Sequence, residues 1–251
     1  MSWLERLCVA SMVEQGYEVE VFTNDVAALK AQGLHSVISD VRDVLPLTSP
    51  GWLYIGQPGG IRVFSDIARL AMLKHDRGVW ADPDCYFQGR LTPREGHVFG
   101  WMSDTRIANG LLYLPPGSAV LDDYYTALST VPLRAKWVNI RLRIEREWEI
   151  LTGGAIPRHA GRSSVGPRAL TWFLKKHGLE RLAVPIATFY PVSEARTRDL
   201  IDPDDRAARD SFIDETVVVH AWQSTLRMLG ALAAPPPPSS FLGQQLSRLR
   251  I

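Results

Sequence analysis

Asp82 and Asp84 stand two residues apart in the run Gly78-Val79-Trp80-Ala81-Asp82-Pro83-Asp84-Cys85, directly after a short apolar stretch. Two carboxylates so spaced at the end of a strand can jointly hold a hard divalent cation. Such cations prefer oxygen ligands, and Mg²⁺ or Mn²⁺ is typically held by one or two carboxylates plus substrate phosphates. The pattern therefore points to metal-assisted chemistry on a phosphate-bearing donor. The plainer reading is a surface turn, which Pro83 makes natural.

Other residues add to the pair. Ser65 and Asp66 stand near the expected start of a helix, where both are ordinary N-caps; the alternative is contact with a ligand. Arg69, one turn later, is placed to pair with Asp66 or Asp82 or to reach a phosphate. His220 ends an apolar strand, and open α/β sheets bind ligands at the carboxyl ends of their strands. Its imidazole is either a third metal ligand or a core histidine. Trp222 either stacks on a ligand or packs, and packing is the safer expectation. Asn109 is a ligand contact or a turn residue. Arg158, His159, Arg162 and Arg168 lie around the Gly/Ser-rich stretch 161–166, read first as a solvated basic face and second as a loop closing on phosphates.

The elements that must position these groups follow from periodicity. Residues 3–15 show a helical rhythm closed by Gly16, and residues 17–23 alternate as a strand. A helix ahead of the first strand is unusual for an α/β sheet. A short helix is expected over 26–32 and a brief strand or loop over 36–40. A helix follows over 61–75, and Val79-Trp80-Ala81 leads into the acidic pair as a very short strand. Strands are expected over 97–102, 110–114, within 181–191 and over 216–220. Helices are expected over 118–129, 135–151 and 166–176. Alternating helix and strand predicts an α/β fold with a mostly parallel or mixed sheet. Residues 234–240, with four consecutive prolines, read as a stiff linker, and 241–251 as a tail that is a short helix or disordered.

Composition narrows the class. With 251 residues and 46% apolar content, the chain can bury a sizeable core without staples. A net charge of +1 gives no push toward nucleic acid or an anionic membrane. Cys8 and Cys85 are too few for a disulfide framework and read as buried small hydrophobes in a reducing compartment. No apolar run is long enough to span a bilayer, and Glu5 and Arg6 interrupt any signal peptide. The expected location is cytoplasmic, with peripheral membrane association left open.

The stretch from Phe64-Ser65-Asp66-Ile67-Ala68-Arg69 through Asp82-Pro83-Asp84 resembles the DXD-containing sugar transferases of the GT-A type. It is most similar to glycosyltransferase family 32 and related capsular polysaccharide enzymes. Leu4 to Val19, Asn109-Gly110, Gly166-Pro167 and His220-Ala221-Trp222 fall where that family has comparable segments, so the likeness spans roughly residues 3–224. Departures are Arg77-Gly78 for a double glycine, Cys85 for an aliphatic residue, and a family strand that should precede residue 3. The resemblance implies a GT-A-like (Rossmann-like) mixed sheet over residues 1–233, lacking that first strand. It implies a metal-dependent glycosyltransferase moving a sugar from a nucleotide-sugar, expected to be a UDP-sugar with retention, to a saccharide, glycolipid or other hydroxyl acceptor. It implies Mn²⁺ (or Mg²⁺) held by Asp82, Asp84 and His220, with Asp84 the direct ligand and Asp82 reaching the metal through water. Asp82, Asp84 and Asn109 would be catalytic, and Ser65, Asp66, Arg69, Asp82 and Trp222 would bind the donor.

Two other functions compete. A degenerate transferase fold could act as a nucleotide-sugar or saccharide binding module. A metal-dependent phosphohydrolase could use the same acid pair; the sequence has no Asp-x-His, which counts against it, and a single His-Asp, His75-Asp76.

Overall fold

The computed structural model describes residues 1–33, 36–57, 59–154 and 165–251. Helices α1 (Trp3–Glu14), α2 (Val26–Lys30), α3 (Gly60–Lys74), α4 (Ala119–Ser129) and α5 (Ile140–Leu151) come first. They are followed by α6 (Pro167–Lys176), α7 (Ile186–Phe189), α8 (Arg206–Arg209), α9 (Gln223–Met228) and α10 (Phe241–Leu249). The strands are β1 (Glu20–Thr23), β2 (Val37–Asp40), β3 (Trp80–Ala81), β4 (Cys85–Phe87), β5 (Trp101–Ser103), β6 (Arg106–Ile107), β7 (Leu111–Leu112) and β8 (Val218–His220).

The α/β class is as expected, but the sheet is broken into pieces. Among the described residues there are four two-stranded ladders: β1 with β2 in parallel, and β3–β7, β4–β8 and β5–β6 antiparallel. One cause lies at the acidic pair. Asp82-Pro83-Asp84 turns the chain between β3 and β4, and proline has no N–H to continue a ladder. Single bridges, Val98 to Tyr113 and Gly100 to Val184, carry the pairing onward where the backbone is irregular. The strand expected within 181–191 is reduced to that Val184 bridge; the rest is a 3₁₀ turn over Glu180–Leu182 followed by α7. Pro185 explains the switch, because it caps α7 and offers no ladder donor. The helix expected from residue 135 begins instead at Ile140, where the Asn139 side chain accepts from Leu142 N–H.

Three apolar clusters hold these pieces. The largest joins α3, α4 and α6, with Ile67, Leu70, Leu121, Tyr124 and Phe173 inside it and Tyr124 stacked on Phe173 at 4.9 Å. A second lies around β4, β8 and Tyr190. The third is built by α1 and α10: Leu4, Leu7 and Cys8 pack with Tyr86, Val219, Phe241, Leu242 and Leu246. Residues 241–249 are thus a helix seated on the core. Arg248 ties it to Glu14 of α1 and to the Tyr86 hydroxyl. Both cysteines are free and buried. No helix among the described residues is long and apolar enough to cross a membrane.

Candidate functional site

The site grows from α3. This helix begins at Gly60, with Gly59 as its N-cap, so Ser65 and Asp66 lie in its second turn and the N-cap reading does not apply. Asp66 and Arg69, three residues apart, share one face. Both are buried, and Arg69 Nη1 donates to Asp66 Oδ1 at 2.7 Å. The other arm of the same guanidinium, Nη2, donates to Asp82 Oδ1 at 2.9 Å. One arginine therefore fixes the helix to the acidic turn. Trp80 contributes twice: its indole N–H donates to Asp82 Oδ1 at 2.7 Å, and its ring lies 4.9 Å from the Arg69 guanidinium carbon. Asn109 Nδ2 donates to Asp66 Oδ1 at 2.7 Å, which makes Asn109 a buried partner of the network as well as a turn residue.

Asp84 faces the opposite way. Its Oδ2 accepts from the Gln223 backbone N–H at 2.7 Å, at the first turn of α9. Its Oδ1 lies 3.4 Å from His220 Nε2. The antiparallel register of β4 and β8, with Cys85 opposite His220, sets this meeting. Gly110 makes it possible, because a Cβ there would stand 3.0 Å from Asp82 Oδ2 and 3.2 Å from His220 Nε2. Gly166 serves likewise on the other flank, where a Cβ would come within 3.2 Å of Asp66 Oδ2.

These groups line one open cavity of about 440 Å³. Ser65, Asp66, Arg69, Asp82, Asp84, Asn109, His220 and Trp222 all contribute to its wall. Trp222 sits in the left-handed backbone region (φ 50°), an uncommon conformation for a bulky residue. Its indole N–H is held by the Val192 carbonyl at 2.8 Å, and its ring packs edge-on against His220, 4.6 Å between centroids. Packing therefore accounts for much of Trp222, with the rest of its surface at the cavity. Arg168 lies outside that wall, and Arg158, His159 and Arg162 lie outside the described residues.

The electrostatics follow from burial. Desolvation pushes the Asp66 carboxyl up to about 6, against the pull of Arg69 and the Asn109 hydrogen bond. Asp82 is also raised, first by burial and then by the neighbouring Asp84 charge, with Arg69 opposing. Burial alone would lower Arg69, but Asp82 and Asp66 outweigh it and leave the guanidinium more firmly protonated. Arg69 Nε is buried without a hydrogen-bond partner, so the guanidinium is not saturated.

A hard divalent cation can be tested against this donor set. Asp84, Cys85 and His220 form the one grouping among the described residues whose ligand atoms all lie within 4.8 Å of one another. Asp84 Oδ1 and His220 Nε2 suit such an ion: ligands at about 2.1 Å in an octahedron stand about 3 Å apart, close to their 3.4 Å separation. Cys85 is a poor third ligand, because burial and the Asp84 and Asp82 charges push its thiol well above its ordinary value. Asp82 stands outside the grouping, with Oδ1 already accepting from Arg69 and Trp80. One contact resists metal capture: the Trp222 N–H donates to His220 Nδ1 at 3.3 Å, which favours the ring proton on Nε2. That contact is long and weak.

Sequence reasoning did not assign roles to Trp80, Gly110, Tyr190, Gln223, Arg62 or Arg227. Tyr190 packs on the His220 ring at 5.3 Å, and Arg62 and Arg227 are exposed at the cavity rim. The visible signals among them were Trp80, the aromatic before the acidic pair, and Gly110 in the Asn109-Gly110 pair. No family model matches the chain, and no match is found among curated proteins or solved structures.

Proposed function

We propose that the protein is a metal-dependent glycosyltransferase of GT-A type that takes a nucleotide-sugar, best a UDP-sugar, as donor. The observation that carries this reading is convergence. Asp66, Arg69, Asp82, Asp84, Asn109 and His220, drawn from α3, two turns and the end of β8, meet at one cavity. A structural salt bridge would not require three carboxylates and an imidazole on one open wall.

In this reading Asp84 would hold Mn²⁺ or Mg²⁺, and His220 would join it through Nε2 in the tautomer that carries its proton on Nδ1, with the Trp222 N–H contact open. The bound ion would neutralise charge on the departing diphosphate. Arg62 and Arg227 on the rim supply further positive charge for phosphate oxygens. Asp82 is pinned by Arg69 and Trp80, which leaves Oδ2 to accept a donor hydroxyl. Asp66 and Asn109 hold each other and orient the floor under the sugar. The acceptor hydroxyl, from a saccharide or other alcohol, attacks the anomeric carbon on the face that the diphosphate leaves, as the bond to the diphosphate oxygen breaks and the hydroxyl proton passes to that departing oxygen. The electron pair leaves with the diphosphate, and retention of configuration is the expected outcome.

Calorimetry with UDP tests the reading directly. Affinity should rise by at least about tenfold on adding Mn²⁺, and Asp84→Ala should abolish that rise. Equal UDP affinity with and without metal would sink it. Hydrolysis of a panel of nucleotide-sugars with Mn²⁺ then separates an active transferase from a binding module.

A further inference from the structure

Helix α5 is amphipathic in the opposite sense to an ordinary surface helix. Ile140, Ile144, Trp148 and Leu151 recur at helical spacing and form one stripe. All four face solvent, at exposures of 65%, 63%, 69% and 80%. The side turned to the body is polar, and among the described residues of the helix only Arg146 is buried. Its Nε donates to the Leu133 carbonyl at 3.0 Å, and its Nη1 donates to the Gly154 carbonyl at 3.0 Å and to Glu149 Oε2 at 3.1 Å. A surface helix normally turns its apolar stripe inward and its charges outward. A contiguous apolar stripe left at the surface marks an interaction site.

The charges beside the stripe indicate its partner. Arg141 and Arg143 lie at the N-terminal end of α5, and Glu145, Glu147 and Glu149 follow toward its C-terminal end. The first turn holds no acidic residue and the last turn no basic one, so neither end carries the charge that the helix dipole favours. Arg141 pairs with Glu145 at 3.0 Å in the less favourable order, cation before anion. An antiparallel neighbour of the same sequence reverses this, because the basic end of each helix then lies along the acidic end of the other. We propose that α5 is a self-association surface, packing antiparallel on α5 of a second copy of this chain about a twofold axis. With Ile144 at the axis, Ile140 of each copy meets the partner's Trp148. Arg141 and Arg143 lie beside the partner's Glu145 and Glu147, and each contact is made twice. A lipid surface fits less well. The arginines 141, 143 and 146 are balanced by the glutamates 145, 147 and 149, so α5 has no net positive charge to draw it to anionic headgroups.

Sedimentation equilibrium of the whole chain over a concentration series tests this. The mass should rise from 28.0 kDa toward twice that value, in the weak, micromolar range that suits a small interface. Trp148→Glu should weaken the association by at least about tenfold. Arg143→Glu and Glu147→Arg should each weaken it as well, because each sets like charges together across the axis. An equimolar mixture of those two variants should associate about as tightly as the wild type, since opposite charges then face each other again. All three side chains are exposed, so circular dichroism of each variant should match the wild type. A single species of 28.0 kDa at every concentration overturns the proposal. So does a dimer that Trp148→Glu leaves intact, or a mixture that stays as weak as either charge variant alone. Co-sedimentation of the monomer with phosphatidylglycerol vesicles, lost in Trp148→Glu, would assign the stripe to a membrane and would also overturn it.

Discussion

Asp82 and Asp84 look equivalent in sequence and are not equivalent in space. Pro83 turns them apart, so Asp82 is held by Arg69 and Trp80 while Asp84 meets His220 and the Gln223 N–H. Gly110 fits between their two territories. Gly110→Ala should cost about 1–3 kcal/mol, an overpacking effect readable by urea denaturation, and should weaken Mn²⁺ binding in calorimetry. Asp66 makes a pH prediction. Its carboxyl is raised from 3.8 to about 6 in the folded protein, chiefly by burial, so between those values the folded state binds more protons than the unfolded chain. Stability from this group is therefore present at low pH and falls as pH rises toward 6, by on the order of 3 kcal/mol. Asp66→Asn should remove that slope, and the difference between wild type and variant across pH 4–7 isolates it. A flat difference would show that Asp66 titrates normally.

At the scale of elements, two helices matter most to the rest of the chain. Helix α3 presents Asp66 and Arg69 to the cavity while its apolar residues Ile67 and Leu70 pack in the cluster shared with α4 and α6. Helix α10, at the end of the chain, closes the core over α1. Leu242 is fully buried there, so Leu242→Ala should cost about 2–5 kcal/mol in chemical denaturation. A loss under about 0.5 kcal/mol, the range of ordinary surface substitutions, would mean that α10 is a dispensable appendage. Helix α1 carries a capping box, with Ser2 Oγ accepting from Glu5 N–H and Glu5 Oε2 accepting from Ser2 N–H. Ser2→Ala should cost about 1 kcal/mol by the same assay. Residues 241–251 read equally as a short helix or a disordered tail, whereas helices α1 and α3 were legible in advance because apolar residues recur at helical spacing and Gly16 and Gly78 follow their ends. The strand expected within 181–191 was not, since an apolar run of that length fits a short helix equally well.

At the scale of the molecule, a bound divalent cation should raise the unfolding temperature only while Asp84 is intact. Saturation a hundredfold above Kd corresponds to about 2.7 kcal/mol, and thermal unfolding with and without Mn²⁺ in wild type, Asp84→Ala and His220→Ala measures it. An equal rise in all three would place the ion elsewhere. The sequence by itself determined the α/β class, most of the helix positions and the burial of both cysteines, because these depend on local spacing and apolar content. It also picked out Asp66, Arg69, Asp82, Asp84, Asn109 and His220 as separate candidates. Only the tertiary structure decided that they share one wall. That depends on the β4–β8 register, on the twofold reach of Arg69 and on the absence of a side chain at Gly110, none of which is a local property. The acidic pair announced a place for chemistry, and long-range pairing set which carboxylate faces the imidazole and which faces the arginine.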